Sequence, residues 1–355
     1  MAIEQSFKET MTEEAAYDGR PAKLFTLSNT QGTTVTLMDI GATWLSCQVV
    51  VEGKAREVLL GVRSMVQHQQ QSAYLGATVG RYANRIKAGK FSYQGQSYQL
   101  LTNEAGNCLH GGPKGFDQCR WQVEQSDPQR LVFLLQSEDG NQGFPGNLIT
   151  RVSYELSDDN EVAISYSAMI DKPCPVNLTN HAYFNLMGAE AGHDCLEHKL
   201  FINAAYYLPT DDKGIPLGEL KPVANTGFDF TKIKTIGRDF MVDDDQKRVS
   251  GYDHSFLLGN DCQGGEAIAA KVVSPDGKLI LEVATTKPAV QLYTGNFLAG
   301  CPNRSGNEYA GLAGFALETQ FLPDSPNNPE WPQPSCILQQ EQSYQHCTIY
   351  RLILA

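Results

Sequence analysis

Helical periodicity is nearly absent from this chain, and so is any long apolar run. No stretch approaches the roughly 20 apolar residues that a membrane-crossing helix needs, so no helical membrane anchor is expected. Positive charge is in deficit: 28 Lys and Arg face 40 Asp and Glu, a net charge of −12. An acidic surface of this kind repels phosphate backbones, which excludes nucleic acid as the expected partner. Neither Gly-x-Gly-x-x-Gly nor Gly-Lys-Ser/Thr occurs, so the usual nucleotide-phosphate loops are missing. Cys-x-x-Cys pairs are missing too. The nine cysteines are odd in number and scattered, and the Met1-Ala-Ile-Glu start lacks the basic-then-apolar order of a secretory signal. Free thiols in a reducing, cytoplasmic compartment are the expectation. A metal site is not expected: His193 and His198, five apart beside Asp194 and Glu197, read as a solvated loop rather than a ligand set.

What the chain has in quantity is period-two alternation, the signature of strands with one buried face. Val152, Tyr154 and Leu156 alternate with polar residues up to the turn Asp158-Asp159-Asn160, and Val162, Ile164, Tyr166, Ala168 and Ile170 continue beyond it. A second hairpin runs from Lys271 through Ser274-Pro275-Asp276-Gly277 to Leu279, Leu281 and Val283, and a third turns at Gly95 within 91–100. Thr33 to Met38 and Thr348 to Leu354 are further strands. Short helical turns are expected only near Ser64–Gln70 and Ile236–Phe240, and the loops 208–231 and 302–309 are expected to cap the sheets. The 32 glycines and 17 prolines are spread as turn punctuation with no linker among them. The expected architecture is all-β, one large antiparallel β-sandwich domain over residues 1–355 with few short helices.

Five segments are rich in groups that do chemistry. Pro175 to Leu186 sets His181 among Asn177, Thr179, Asn180 and Asn185, amides and a hydroxyl suited to fixing an imidazole. In Gly76 to Ile86, Asn84 and Arg85 supply several donors for sugar hydroxyls, or a partner for a structural carboxylate. His110 precedes Gly111-Gly112, a turn that lets backbone approach a ligand closely. Asp253 and His254, adjacent in an extended segment, point to opposite faces, so one of them is free to meet a pocket. Glu318 lies in the apolar run Ala313 to Phe321, on the side of Ala316 and Gln320 and away from Phe315 and Leu317. Burial there raises its pKa toward the range of a general base.

These stretches resemble the aldose 1-epimerase family. The matching segments are Gly80-Arg-Tyr-Ala-Asn-Arg-Ile86, Leu109-His-Gly-Gly112, Asn177 to Leu186, Gly251-Tyr-Asp-His254, Gln291-Leu-Tyr-Thr-Gly-Asn296 and Leu317 to Asn327, in the family's order and over nearly the whole chain. The resemblance implies a β-sandwich of the galactose mutarotase-like type and a cofactor-free interconversion of the α and β anomers of galactose, glucose and similar aldohexoses. It further implies that Glu318 is the general base and His181 the general acid. Residues Asn84, Arg85, His110, Asp253 and Gln291 are implied to hold the sugar.

Two other readings compete on the residues alone. A β-sandwich glycoside hydrolase would cast Asp253 and Glu318 as its carboxylate pair, but would leave His181 idle. A non-catalytic sugar-binding module would rely on aromatic platforms such as Trp44, Trp121 and Trp331 and would need no acid–base pair. Sugar preference and oligomeric state are not legible.

Overall fold

The computed structural model describes residues 10–355. Two large antiparallel sheets dominate it. One has nine strands in the order Gln122–Asp127, Arg130–Ser137, Leu148–Leu156, Glu161–Ile170, Tyr344–Leu354, Leu279–Thr285, Ile268–Val273, Lys199–Ile202 and Lys234–Thr235. The other has six, in the order Tyr183–Phe184, Phe315–Gln320, Ala289–Tyr293, Asp253–Leu258, Ala204–Leu208 and Lys221–Pro222. A four-stranded sheet, Leu24–Ser28 to Lys54–Glu57, precedes them. The expected hairpins stand where the alternation put them, and Val162, Ile164, Tyr166, Ala168 and Ile170 all face the core.

The sheets join through their inner faces. Tyr350, on the nine-stranded sheet, lies 5.5 Å from the ring of Phe184 on the six-stranded sheet and 5.5 Å from Trp44. Its hydroxyl donates to the Leu317 carbonyl at 3.3 Å, and the Thr319 and Thr348 hydroxyls meet at 2.5 Å. Every residue of Phe315–Gln320 is buried, because one face of this strand packs on the large sheet and the other is roofed by the loops around the site.

Helix is short, as expected. Met65–Gln70 forms one turn and a half behind an N-cap at Ser64, whose side chain accepts from the Gln67 N–H. Ile236–Asp239 is a 3-10 turn. Asp244–Arg248 is helical without being expected, since five charged or amide residues carry no apolar period; a capping box between Asp243 and Gln246 nucleates it instead. His198 corrects the solvated-loop reading of 193–198. It is fully buried, and its Nε2 accepts the Leu186 N–H at 3.0 Å, whereas His193 is exposed.

The segment 80–86 is anchored by Arg81, which is 1 % exposed. Its guanidinium donates to the carbonyls of Pro145 and Gly146 at 2.9 Å each, to those of Ser137 and Glu138 at 2.9 and 2.8 Å, and to the Ser137 hydroxyl. A buried cation solvated by carbonyls is stable only while all of them are in place. Removing it strands those acceptors in the core, so Arg81→Ala is expected to lower unfolding stability by about 3 kcal/mol. The check is the shift of the urea midpoint at constant slope; a loss well below that would show that water replaces the guanidinium freely.

Candidate active site

Strand register gathers the first wall of the site. Glu318 lies opposite Gln291, and Gln291 opposite Ser255; two residues along each strand, Ala316 lies opposite Tyr293, and Tyr293 opposite Asp253. Side chains two apart share a face, so Glu318, Gln291, Ser255, Tyr293 and Asp253 belong to one surface of the six-stranded sheet. Tyr183 pairs with Ala316 and extends the same row.

The opposite wall is a small unit of loops. Arg85–Ile86 pairs with Cys108–Leu109, and Asn103 brackets Leu109 by accepting from its N–H and donating to its carbonyl. Asn84 and His110 lock each other: His110 N–H donates to the Asn84 carbonyl at 3.0 Å, and Asn84 N–H donates to His110 Nδ1 at 3.1 Å. Both take positive φ, +64° and +49°. Gly111 is also left-handed, at φ +93°, but not to admit a ligand: a Cβ there would fall 1.9 Å from the Gly80 carbonyl oxygen. The close approach that this glycine permits is to the protein's own backbone.

The walls enclose a cavity of about 350 Å³ lined by Asn84, Arg85, His110, His181, Asp253 and Glu318 among others. Six of the seven residues singled out in the sequence therefore meet at one place. The seventh, Gln291, is 2 % exposed and lies one layer behind. Its Nε2 donates to Asp253 Oδ1 at 2.6 Å, and its own carbonyl oxygen accepts from Ser255. His254, adjacent to Asp253, turns into the core against Phe228.

His181 Nε2 lies 3.5 Å from Glu318 Oε1, and both side chains are nearly inaccessible. Glu318 Oε2 and His181 Nδ1 are buried without a hydrogen-bond partner. Burial, with Asp253 nearby, pushes the Glu318 carboxyl well above its usual range, and Arg85 offsets this only in part. Burial pulls His181 down to about 4. His110 is held well below the ordinary imidazole value by burial, then by His181 and Arg85.

The amides around His181 do not touch its ring, contrary to expectation. Asn177 donates to the Ala83 carbonyl and accepts from Phe321 N–H; Asn180 donates to the Gly76 carbonyl and Tyr154; Asn185 donates to the carbonyls of His193 and Ala313. They pin the backbone that carries the histidine. The ring itself is held by aromatic neighbours, Tyr183 at 4.9 Å, His110 at 5.2 Å and Tyr74 at 5.9 Å between centroids.

His110, His181 and Glu318 bring three donor atoms within 4.8 Å of one another, a spacing that a cation can bridge. The hydrogen bonding speaks against that use. Because His110 Nδ1 accepts the Asn84 N–H, the neutral ring carries its hydrogen on Nε2 and offers a donor instead of a third lone pair.

Sequence reasoning missed Tyr74, Tyr293 and Glu104 on the cavity wall. Tyr293 was within reach, two residues from Gln291 on the same strand and so on the same face. Glu104 shows itself only through its partner: its carboxylate takes Arg85 Nη2 at 2.7 Å and Nε at 3.1 Å. Arg85 thus satisfies both readings, paired to a carboxylate and facing the cavity.

The chain is similar to known proteins over nearly its whole length. The family model described as aldose 1-epimerase matches residues 23–351. The aldose 1-epimerase of Escherichia coli (strain K12) is 51 % identical over 344 residues, 96 % of this chain and 98 % of that protein. The galactose mutarotase of Rattus norvegicus is 38 % identical over 352 residues, 99 % of each chain. Among solved structures, an aldose epimerase homologue from C. elegans superposes with a TM-score of 0.86 at 28 % identity, covering 94 % of this chain and 99 % of that one.

The electrostatics predict two neutral imidazoles at neutral pH. Long-range ¹H–¹⁵N correlation should show His110 as the Nε2–H tautomer and His181 titrating near 4. Titration of either ring at the ordinary value of about 6.5 would contradict the burial argument.

Proposed function

The chain belongs to the aldose 1-epimerase family, and on that premise we propose that Glu318 and His181 carry the two proton transfers of its reaction. That reaction is the interconversion of the α and β anomers of galactose and related aldohexoses. The observation behind the assignment is the buried contact of 3.5 Å between the two groups, each with an unpartnered atom.

In the ring-opening direction, Glu318 takes the proton of the C1 hydroxyl while the C1–O bond to the ring oxygen breaks. His181 delivers a proton to that oxygen, and C1 becomes an aldehyde. Rotation about C1–C2 presents the other carbonyl face, and closure runs the two transfers backwards. Each positioned transfer contributes roughly 10² to 10⁴ in rate.

The pair carries one proton throughout. Before opening, the proton is on His181 and Glu318 is a carboxylate; after opening, Glu318 is protonated and His181 neutral. The second arrangement is the one that burial favours in the empty site. Hydroxyl donors from the sugar stabilise the carboxylate form on binding. His110, as a fixed Nε2–H donor, serves the oxygen that gains charge as the ring opens. Asn84, Arg85 and Asp253 hold the remaining hydroxyls, and Gln291 acts on the sugar through Asp253.

The nine unpaired cysteines support a cytoplasmic setting. Among the described residues no helix is long and apolar enough to cross a membrane. The whole chain is read as one domain, in line with the family match over residues 23–351.

Polarimetry on freshly dissolved α-D-galactose tests the assignment. The expected result is faster relaxation to an unchanged final rotation, with Glu318→Gln and His181→Asn each slowing it by about 10² or more. Full activity in either folded variant would remove that residue from its role, and sugar release from galactosides would indicate a hydrolase. The one-proton requirement also fixes the pH profile. Activity should fall as pH drops through about 4, where the pair gains a second proton, and fall again at high pH as the raised Glu318 carboxyl loses the last one. A profile with no acid limb would contradict the shared proton.

A further inference from the structure

We propose that Glu104 and Gly214 are positioning residues that clamp the guanidinium of Arg85, so that Nη1 alone faces the sugar. This rests on the reading of the cavity as the mutarotase site.

Glu104 fixes the edge of the group. Two parallel hydrogen bonds, to Nε and Nη2, set the plane of the guanidinium as well as its place. The carboxylate is itself held by a tight turn. Ala105 and Gly106 both take positive φ, +46° and +85°, and Asn107 N–H returns to the Glu104 carbonyl at 2.7 Å. Glu104 and His110 therefore sit on one hairpin, and that hairpin is paired to the strand bearing Arg85.

Gly214 covers the face. A Cβ on Gly214 would fall 2.7 Å from both Cζ and Nη1 of Arg85, and the residue has φ +71°. Backbone thus lies flat on the guanidinium with no room for a side chain. The turn that brings it there is closed by Asp211, whose Oδ1 accepts from Lys213 and Ile215 N–H at 2.9 Å each, and whose carbonyl accepts from Gly214 N–H at 3.1 Å. Ile215 anchors the turn in the interior.

The remaining nitrogen, Nη1, is 3.9 Å from Asp253 Oδ2. Asp253 and Glu318 both attract this cation through their charge, so an unclamped Arg85 would be drawn toward either carboxylate. Pairing with Glu318 would stabilise the ionised base and weaken it. The clamp keeps the cation close enough to steady charge on the sugar and prevents it from neutralising the base.

The test is a double-mutant cycle by polarimetry, with melting temperature as the check on folding. Glu104→Gln should raise KM for galactose about tenfold with a smaller loss in kcat, the worth of a charged hydrogen bond. Gly214→Ala should reproduce that pattern while leaving Glu104 intact. In an Arg85→Gln background, Glu104→Gln should change KM no further, because its effect passes through Arg85. Glu124→Gln, which frees Arg151 on the outer sheet face, is the matched surface control and should leave KM unchanged. An unaltered KM in folded Glu104→Gln overturns the proposal, as does a Glu104 effect that persists in full without Arg85. A wild-type protein that does not accelerate mutarotation would instead overturn the functional reading, so the two failures are distinct.

Discussion

The structure turns on a carboxylate buried without a cation of its own. Glu318 is buried, has one unpartnered oxygen and a histidine at 3.5 Å, and shares the Arg85 guanidinium with two other carboxylates, Glu104 and Asp253. Desolvation is what makes it basic, and desolvation is supplied by the whole sandwich. Its strand is covered behind by the nine-stranded sheet, through the Thr319–Thr348 contact and Tyr350, and in front by the loops bearing His181 and Tyr74. A looser sandwich would admit water and return the carboxyl toward its ordinary value.

The same constraint explains why so many polar groups near the site point away from it. The amides of 177–185 look, in sequence, like a shell around an imidazole. They are buried backbone fasteners, because a loop crossing the interior must satisfy its carbonyls and N–H groups somewhere. Asn180 alone ties Gly76 and Tyr154, and Arg81 does the same work for the loop at 137–146. The histidine gains its orientation second-hand, from a rigid backbone and from aromatic rings that add no competing hydrogen bonds.

What was legible in the sequence follows from this division. Alternation located the strands because one face of each is buried, and the two-residue offset put Glu318 on the cavity side of its strand. His181, His110, Arg85 and Asp253 were visible as unusual groups in apolar or glycine-rich settings. Gln291 was identified, yet its placement behind Asp253 depends on which of two polar neighbours reaches further into the cavity, and a residue list does not contain that. Glu104 and Gly214 were invisible for a different reason. An acidic residue in a turn and a glycine in a loop are ordinary until the fold brings Glu104, 19 residues along the chain, and the more distant Gly214 against one guanidinium. The helix Asp244–Arg248 escaped because its signal is a cap and not a period.

An epimerase that leaves the equilibrium unmoved must recognise both anomers and the open chain between them. Contacts at C1 cannot provide that recognition, since C1 is what changes; tight binding of one anomer there would only deepen a ground state. On the assignment proposed for Glu318, His181 and their neighbours, the cavity divides its labour accordingly. The C1 end meets a proton-sharing pair that works in either direction. In that assignment the ring oxygen meets an imidazole fixed as a donor by Asn84, and the remaining hydroxyls meet groups whose protonation does not vary with the reaction, a guanidinium bonded to Glu104 and a carboxylate bonded to Gln291. Rigidity at those positions is what allows C1 to rotate. A sugar held firmly through its other hydroxyls can open and turn about C1–C2 without leaving, and a site that gripped the anomeric oxygen instead would bind well and catalyse poorly.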